Sequence, residues 1–147
     1  MKIVIGCDHA AIERKAELIA YLLKQGHEVF DEGAYDTASV DYPDIAIPVC
    51  EMVAKGEADR GVLLCGTGIG MSIAANKVRG IRCALCSESL SARLTREHND
   101  SNVLAMGART LGTEMALDIL RTWLETPFSG DERHMRRIGK MSDYENK

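Results

Sequence analysis

Short runs of aliphatic and β-branched residues alternate along this chain with longer segments in which apolar residues recur every three or four positions. Lys2 to Gly6 is one such run and reads as a strand. The segment from about Ala10 to Lys24 reads as a helix with Ile12, Ala16, Ile19, Ala20 and Leu23 on one face. Gly26, just past its end, suits a left-handed cap. A second strand covers about Glu28 to Asp31. Pro43 in Tyr42-Pro43-Asp44 opens a helix that runs to about Lys55 and stops at Gly56. Gly61 to Cys65 is apolar throughout, as a strand buried on both faces of a parallel sheet should be. A helix of about Gly70 to Val78, a strand of about Ile81 to Leu85, a helix of about Ser89 to His98 and a strand from Val103 to Met106 follow. Helices of about Thr113 to Glu125 and Glu132 to Met141 complete the pattern, and the tail after Ser142 is expected to be loose.

This alternation predicts an α/β fold: a three-layer α/β/α sandwich around a Rossmann-like, five-stranded parallel sheet. No linker, repeat or low-complexity stretch divides residues 1–147, so one domain is expected. In such sheets ligands bind beyond the carboxyl ends of the strands. Three polar clusters fall there: Cys7-Asp8-His9, Cys65-Gly66-Thr67 and Gly107-Ala108-Arg109.

Composition narrows the function classes. Hydrophobic residues make up 46% and charged residues 27%, as in ordinary globular proteins. The net charge of -4 argues against a nucleic-acid or acidic-membrane partner, though a few local arginines suffice for a small anion. The N-terminal apolar run is too short for a secretory signal, and no stretch approaches a membrane span, so a cytoplasmic protein is expected. The five cysteines are irregularly placed and read as free thiols.

In the loop Cys65-Gly66-Thr67-Gly68-Ile69-Gly70, glycines at 66, 68 and 70 let the backbone turn tightly and approach a ligand. The amides then face the space beside a helix start, which favours an anion or a developing oxyanion. A plain strand-to-helix turn explains the same glycines. The spacing is neither GxGxxG nor a P-loop, and Met71 stands where a Cys-x5-Arg phosphatase loop needs arginine. Cys65 reads either as a buried structural thiol or as a base activated by its surroundings.

Asp8 and His9 are placed to hold hydroxyls or phosphate, while Asp8 also suits a helix cap. Leu90, Leu94 and His98 are spaced by four, which favours a core-edge histidine at a helix C-terminus. Arg133 and Arg137 lie one turn apart and fit a phosphate dianion, unless the helix is simply solvated; Arg136 is harder to place. Cys83 and Cys86 do not read as a metal site: residues three apart in a strand point to opposite faces, and no second pair exists.

Gly6-Cys7-Asp8-His9, the Cys65–Gly70 loop with Ala74-Ala75-Asn76-Lys77, Ser91-Ala92-Arg93-Leu94, His98-Asn99-Asp100, Asn102-Val103-Leu104-Ala105, Gly107-Ala108-Arg109 and Arg133-His134 together resemble the type B ribose-5-phosphate isomerase family. The wider group includes allose- and galactose-6-phosphate isomerases. The resemblance runs from about residue 2 to 138. It implies aldose–ketose isomerisation of a sugar phosphate through an enediolate, with no metal or other cofactor. Cys65 would move the proton between C2 and C1, and Thr67 would help move a proton between the oxygens. The amides of Gly66, Thr67, Gly68, Ile69 and Gly70 would hold the enediolate. His98 would open the furanose ring, Asp8 and Asn99 would hold hydroxyls, and His9, Arg133 and Arg137 the phosphate, with Arg109 as a further contact.

A helix that follows a strand ends near the opposite edge of the sheet, so His98 should lie far from Cys65 of its own chain. If both act in one site, a homodimer or tetramer with shared sites is required. A sugar-phosphate sensor on the same fold would lack a base. A nucleotide or flavin module is weakened by the glycine spacing and by only seven aromatics, one Trp, four Tyr and two Phe.

Overall fold

The computed structural model describes residues 1–147. Its strands are β1 (Lys2–Cys7), β2 (Glu28–Asp31), β3 (Arg60–Cys65), β4 (Cys83–Leu85) and β5 (Val103–Gly107). Its helices are α1 (Ile12–Lys24), α2 (Tyr42–Ala54), α3 (Ile69–Ala75), α4 (Ser89–Asn99), α5 (Thr113–Glu125) and α6 (Glu132–Glu145). The strands form one sheet in the order β2-β1-β3-β5-β4, every pair parallel.

Both faces of the three central strands β1, β3 and β5 are buried, and side chains alternate between them with the strand period of two. Ile3, Ile5, Cys7, Val62, Leu64, Leu104 and Met106 pack with Leu18 and Leu22 of α1, Ala92 of α4, and Ile119, Leu120 and Trp123 of α5. Val4, Leu63, Cys65, Val103 and Ala105 pack on the other side with Val49 and Cys50 of α2 and Met71 and Ala75 of α3. Each fully buried Ile, Leu or Val contributes about 1.5–3 kcal/mol relative to exposure. Cys83 belongs to the second layer and Cys86 to the first, so the two thiols sit on opposite faces.

The structure corrects the expected face of α1. Ala16, Ala20 and Leu23 are exposed, and the buried stripe is Ala11, Lys15, Leu18 and Leu22. A lysine in that stripe hides it from a hydrophobicity pattern. Lys15 Nζ is buried because it donates to Asp31 Oδ1 and to the Ala34 carbonyl, each at 2.6 Å. Similarly, α4 buries Ala92 and Arg96, whereas Leu90 is exposed and Leu94 and His98 are half-buried. Arg96 is buried because it donates to Asp100 Oδ1, the Ser101 carbonyl and the Thr126 carbonyl. His98 therefore does not continue a buried apolar stripe.

Several boundaries also move. α3 stops at Ala75 because the Asn76 amide pairs with the backbone of Cys83, donating to its carbonyl and accepting from its N–H. β4 begins at Cys83 because Val78 to Ile81 make a turn, with Gly80 at φ +82°. The tail is not loose: α6 continues to Glu145, which accepts from the Gly80 N–H and the Arg79 guanidinium.

Candidate active site

Strand order reverses between β1 and β3: the chain steps from β1 to β2 on one side, then crosses to β3 on the other. Asp8 and Cys65 leave the sheet at this switch point. The Asp8 N–H donates to the Leu64 carbonyl at 3.0 Å, which seats Asp8 beside Cys65. Asp8 is not the helix cap itself. Its Oδ1 accepts from the Ala10 N–H, and α1 begins two residues later with Ala11 as its cap. His9 Nδ1 accepts from the Val40 N–H at 3.3 Å, so its other ring nitrogen carries the proton available to a ligand.

Gly68 adopts φ +77°, and an added Cβ would meet the Met106 backbone at 2.8 Å. The residue must therefore be glycine on both counts. This geometry turns the Gly68 N–H onto Cys65 Sγ at 3.1 Å, a contact that favours the sulfur as acceptor. The Ile69 N–H donates to Thr67 Oγ1 at 3.3 Å. Gly107, at the end of β5, lies so close to Thr67 that a Cβ there would meet its carbonyl carbon at 2.7 Å.

Arg109 joins the same edge. Its N–H donates to the Gly66 carbonyl at 2.9 Å, and its side chain lies over Gly66 where a Cβ would be 3.3 Å from Cδ. Tyr42, which the sequence reading did not single out, packs its ring against Gly70, within 2.9 Å of a Cβ position. Its place at the start of α2, behind Asp41 and before Pro43, is the signal that was there to read.

Burial governs the other four thiols. Burial pushes Cys7 and Cys86 up to about 11 and Cys50 up to about 12, and it raises Cys83 as well. These four stay protonated near neutral pH and behave as small apolar side chains.

A second cluster forms elsewhere. His98 and His134 stack with ring centroids 4.3 Å apart and planes 16° apart. This brings His98 and Asn99 at the end of α4 together with the first turns of α6, which carry Arg133 and Arg137. Arg133 is exposed, 3.9 Å from Asp131. The cluster lies at the amino edge of the sheet, because Asn102, just beyond α4, accepts from the Gly61 N–H at the start of β3. Cys65 ends that strand, and six residues span roughly 16 Å. The residues picked out from the sequence thus fall into two separate clusters, Asp8, His9, Cys65–Gly70 and Arg109 in one, His98, Asn99, Arg133 and Arg137 in the other. The largest cavity, about 380 Å³ between β4, α4 and α6, includes Asn99 but not Cys65.

Residues 3–141 match the model of the family described as Ribose/Galactose Isomerase. Ribose-5-phosphate isomerase B of Escherichia coli is 47% identical over 146 residues, covering 99% of this chain and 97% of the relative. D-erythrulose-4-phosphate isomerase of Pectobacterium atrosepticum is 44% identical, covering 88% and 86%. The solved structure of Clostridium thermocellum ribose-5-phosphate isomerase B superposes with a TM-score of 0.97 at 52% identity, covering 99% and 98%. An alternating parallel sheet, a glycine-turned thiol at its switch point and this full-length similarity agree: the chain belongs to the ribose/galactose isomerase family.

Proposed function

We propose that this protein interconverts ribose 5-phosphate and ribulose 5-phosphate, with Cys65 as the base. The observation that carries the reading is Cys65 Sγ at the switch point, faced by the Gly68 N–H at 3.1 Å, with Asp8 and Arg109 on either side. A proton next to a carbonyl is removed most easily where the base and the donors for the resulting oxyanion are fixed beforehand. Cys65 takes the C2 proton and returns it to C1. Thr67 passes a proton between the oxygens, and the loop from Gly66 to Gly70 stabilises the enediolate. His98 opens the furanose, Asp8 and Asn99 hold hydroxyls, and His9, Arg133 and Arg137 hold the phosphate, with Arg109 as a further contact of the bound substrate. Phosphate binding, remote from the reacting carbons, anchors the open chain.

The two clusters lie at opposite ends of β3, a strand roughly 16 Å long, which supports a shared site in a homodimer, or in a tetramer of such dimers. Exposed apolar side chains beside the Cys65 loop support it too. Ile69 and Ile73 of α3, Leu85 ending β4 and Leu90 starting α4 are all more than 40% exposed. Two sheets meeting in opposite directions along this flank would set the carboxyl edge of one against the amino edge of the other. Each Cys65 loop would then receive His98 and the arginines from its partner.

The test mixes Cys65→Ala and His98→Ala chains under exchange conditions. Each is expected to be inactive alone, and each hybrid dimer to regain one complete site and turnover of ribose 5-phosphate. Verified hybrids without activity would overturn the shared site. A relative named for a four-carbon sugar phosphate makes chain length the variable to test. Turnover across tetrose, pentose and hexose phosphates decides it, and a preference for a hexose 6-phosphate would replace the pentose assignment.

A further inference from the structure

We propose that His134 is a positioning residue for ring opening, its flat ring face setting the plane in which the His98 imidazole works. The inference rests on the ring-opening role given to His98 above and adds a residue to it. The two rings stack at 4.3 Å with only 16° between their planes, one carried by α4 and the other by α6. His134 is only 4% exposed, and its Nε2 makes no hydrogen bond. A buried imidazole whose Nε2 has no partner is not held there by a hydrogen bond from that nitrogen, and the contact it does make is its ring face on His98.

His134 is also suited to remain uncharged. Burial lowers its pKa below the ordinary histidine value, and His98, Arg133 and Arg137 lower it further against the opposing pull of Asp131. On α4, Glu97 is taken up by Arg93 at 3.5 Å. A neutral platform matters because His98 must change charge during the reaction. Opening the furanose breaks the C1–O4 bond and forms the C1 carbonyl. The proton on O1 passes to His98, and His98 returns a proton to O4, so the ring ends as it began. A charged neighbour in face contact would oppose the imidazolium intermediate, whereas a neutral aromatic face tolerates it.

The test compares His134→Phe, which keeps a flat ring, with His134→Leu, which keeps bulk without a plane. Two readouts are taken. One is kcat/KM for ribose 5-phosphate, which enters as a furanose. The other is solvent deuterium exchange at C1 of ribulose 5-phosphate, an open-chain ketose that needs Cys65 but no ring opening. Leu is expected to lose about tenfold to a hundredfold in kcat/KM, the scale of a misplaced catalytic group, while exchange stays at the wild-type rate. Phe is expected to restore turnover. If the Leu variant does not fold, His134→Met serves as the planeless variant. Equal turnover in the Phe and planeless variants, or exchange falling in step with turnover, would overturn the positioning role alone. A wild-type chain that neither turns over nor exchanges would overturn the isomerase reading, and this one with it.

Discussion

At the scale of single residues, the site depends on backbone positions where no side chain fits. Gly107 touches no sugar in the proposed mechanism, yet a Cβ there would press on the Thr67 backbone and on the Thr110 hydroxyl. Gly107→Ala is therefore expected to lower kcat by about a hundredfold, because displacing the loop by even 1 Å misplaces the proposed base. Steady-state kinetics with circular dichroism as a fold control would check it, and a near-wild-type kcat would show that the loop tolerates the shift. The glycines at 66, 68 and 70 were legible in the sequence, because their spacing identifies a close-turning loop after a buried strand. The reason for Gly107 was not legible, since it comes from a neighbouring strand 40 positions away.

At the scale of elements, periodicity located every helix and strand but misassigned two faces. Apolar pattern cannot reveal a cation that is buried because it has partners, and both errors have that cause, Lys15 in α1 and Arg96 in α4. Lys15 ties α1 to the loop after β2 through Asp31 and the Ala34 carbonyl, with its ammonium 5.0 Å from the centre of the Tyr35 ring. The same loop supplies the Val40 N–H that orients His9. Replacing Lys15 with Met leaves the Ala34 carbonyl without its ammonium donor, a loss of about 1–3 kcal/mol. Urea unfolding of Lys15→Met would measure it. A raised KM for the sugar phosphate is expected alongside, through His9. An unchanged unfolding midpoint would show that Lys15 does not hold this loop.

At the scale of the whole molecule, one chain carries its two clusters of candidate site residues on opposite edges of its sheet. The exposed side chains of Ile69, Ile73, Leu85 and Leu90 lie on the elements beside the Cys65 loop. A charge placed among apolar residues that pack together opposes association. Ile73→Glu is therefore expected to yield a folded monomer in sedimentation experiments, with turnover of ribose 5-phosphate lost although no proposed catalytic residue has changed. A fully active monomer would contradict the shared site.

The sequence by itself determined the layered α/β fold and picked out the glycine-rich loop that follows Cys65 at the end of a buried strand. These follow from periodicity and local turn chemistry, which are written in neighbouring residues. Only the tertiary structure decided which side chains meet across the fold. It brought Arg109 over Gly66, Tyr42 against Gly70, the buried lysine and arginine to their partners, and His134 onto His98. Contacts between distant segments depend on how helices pack on the sheet, and no local pattern records that.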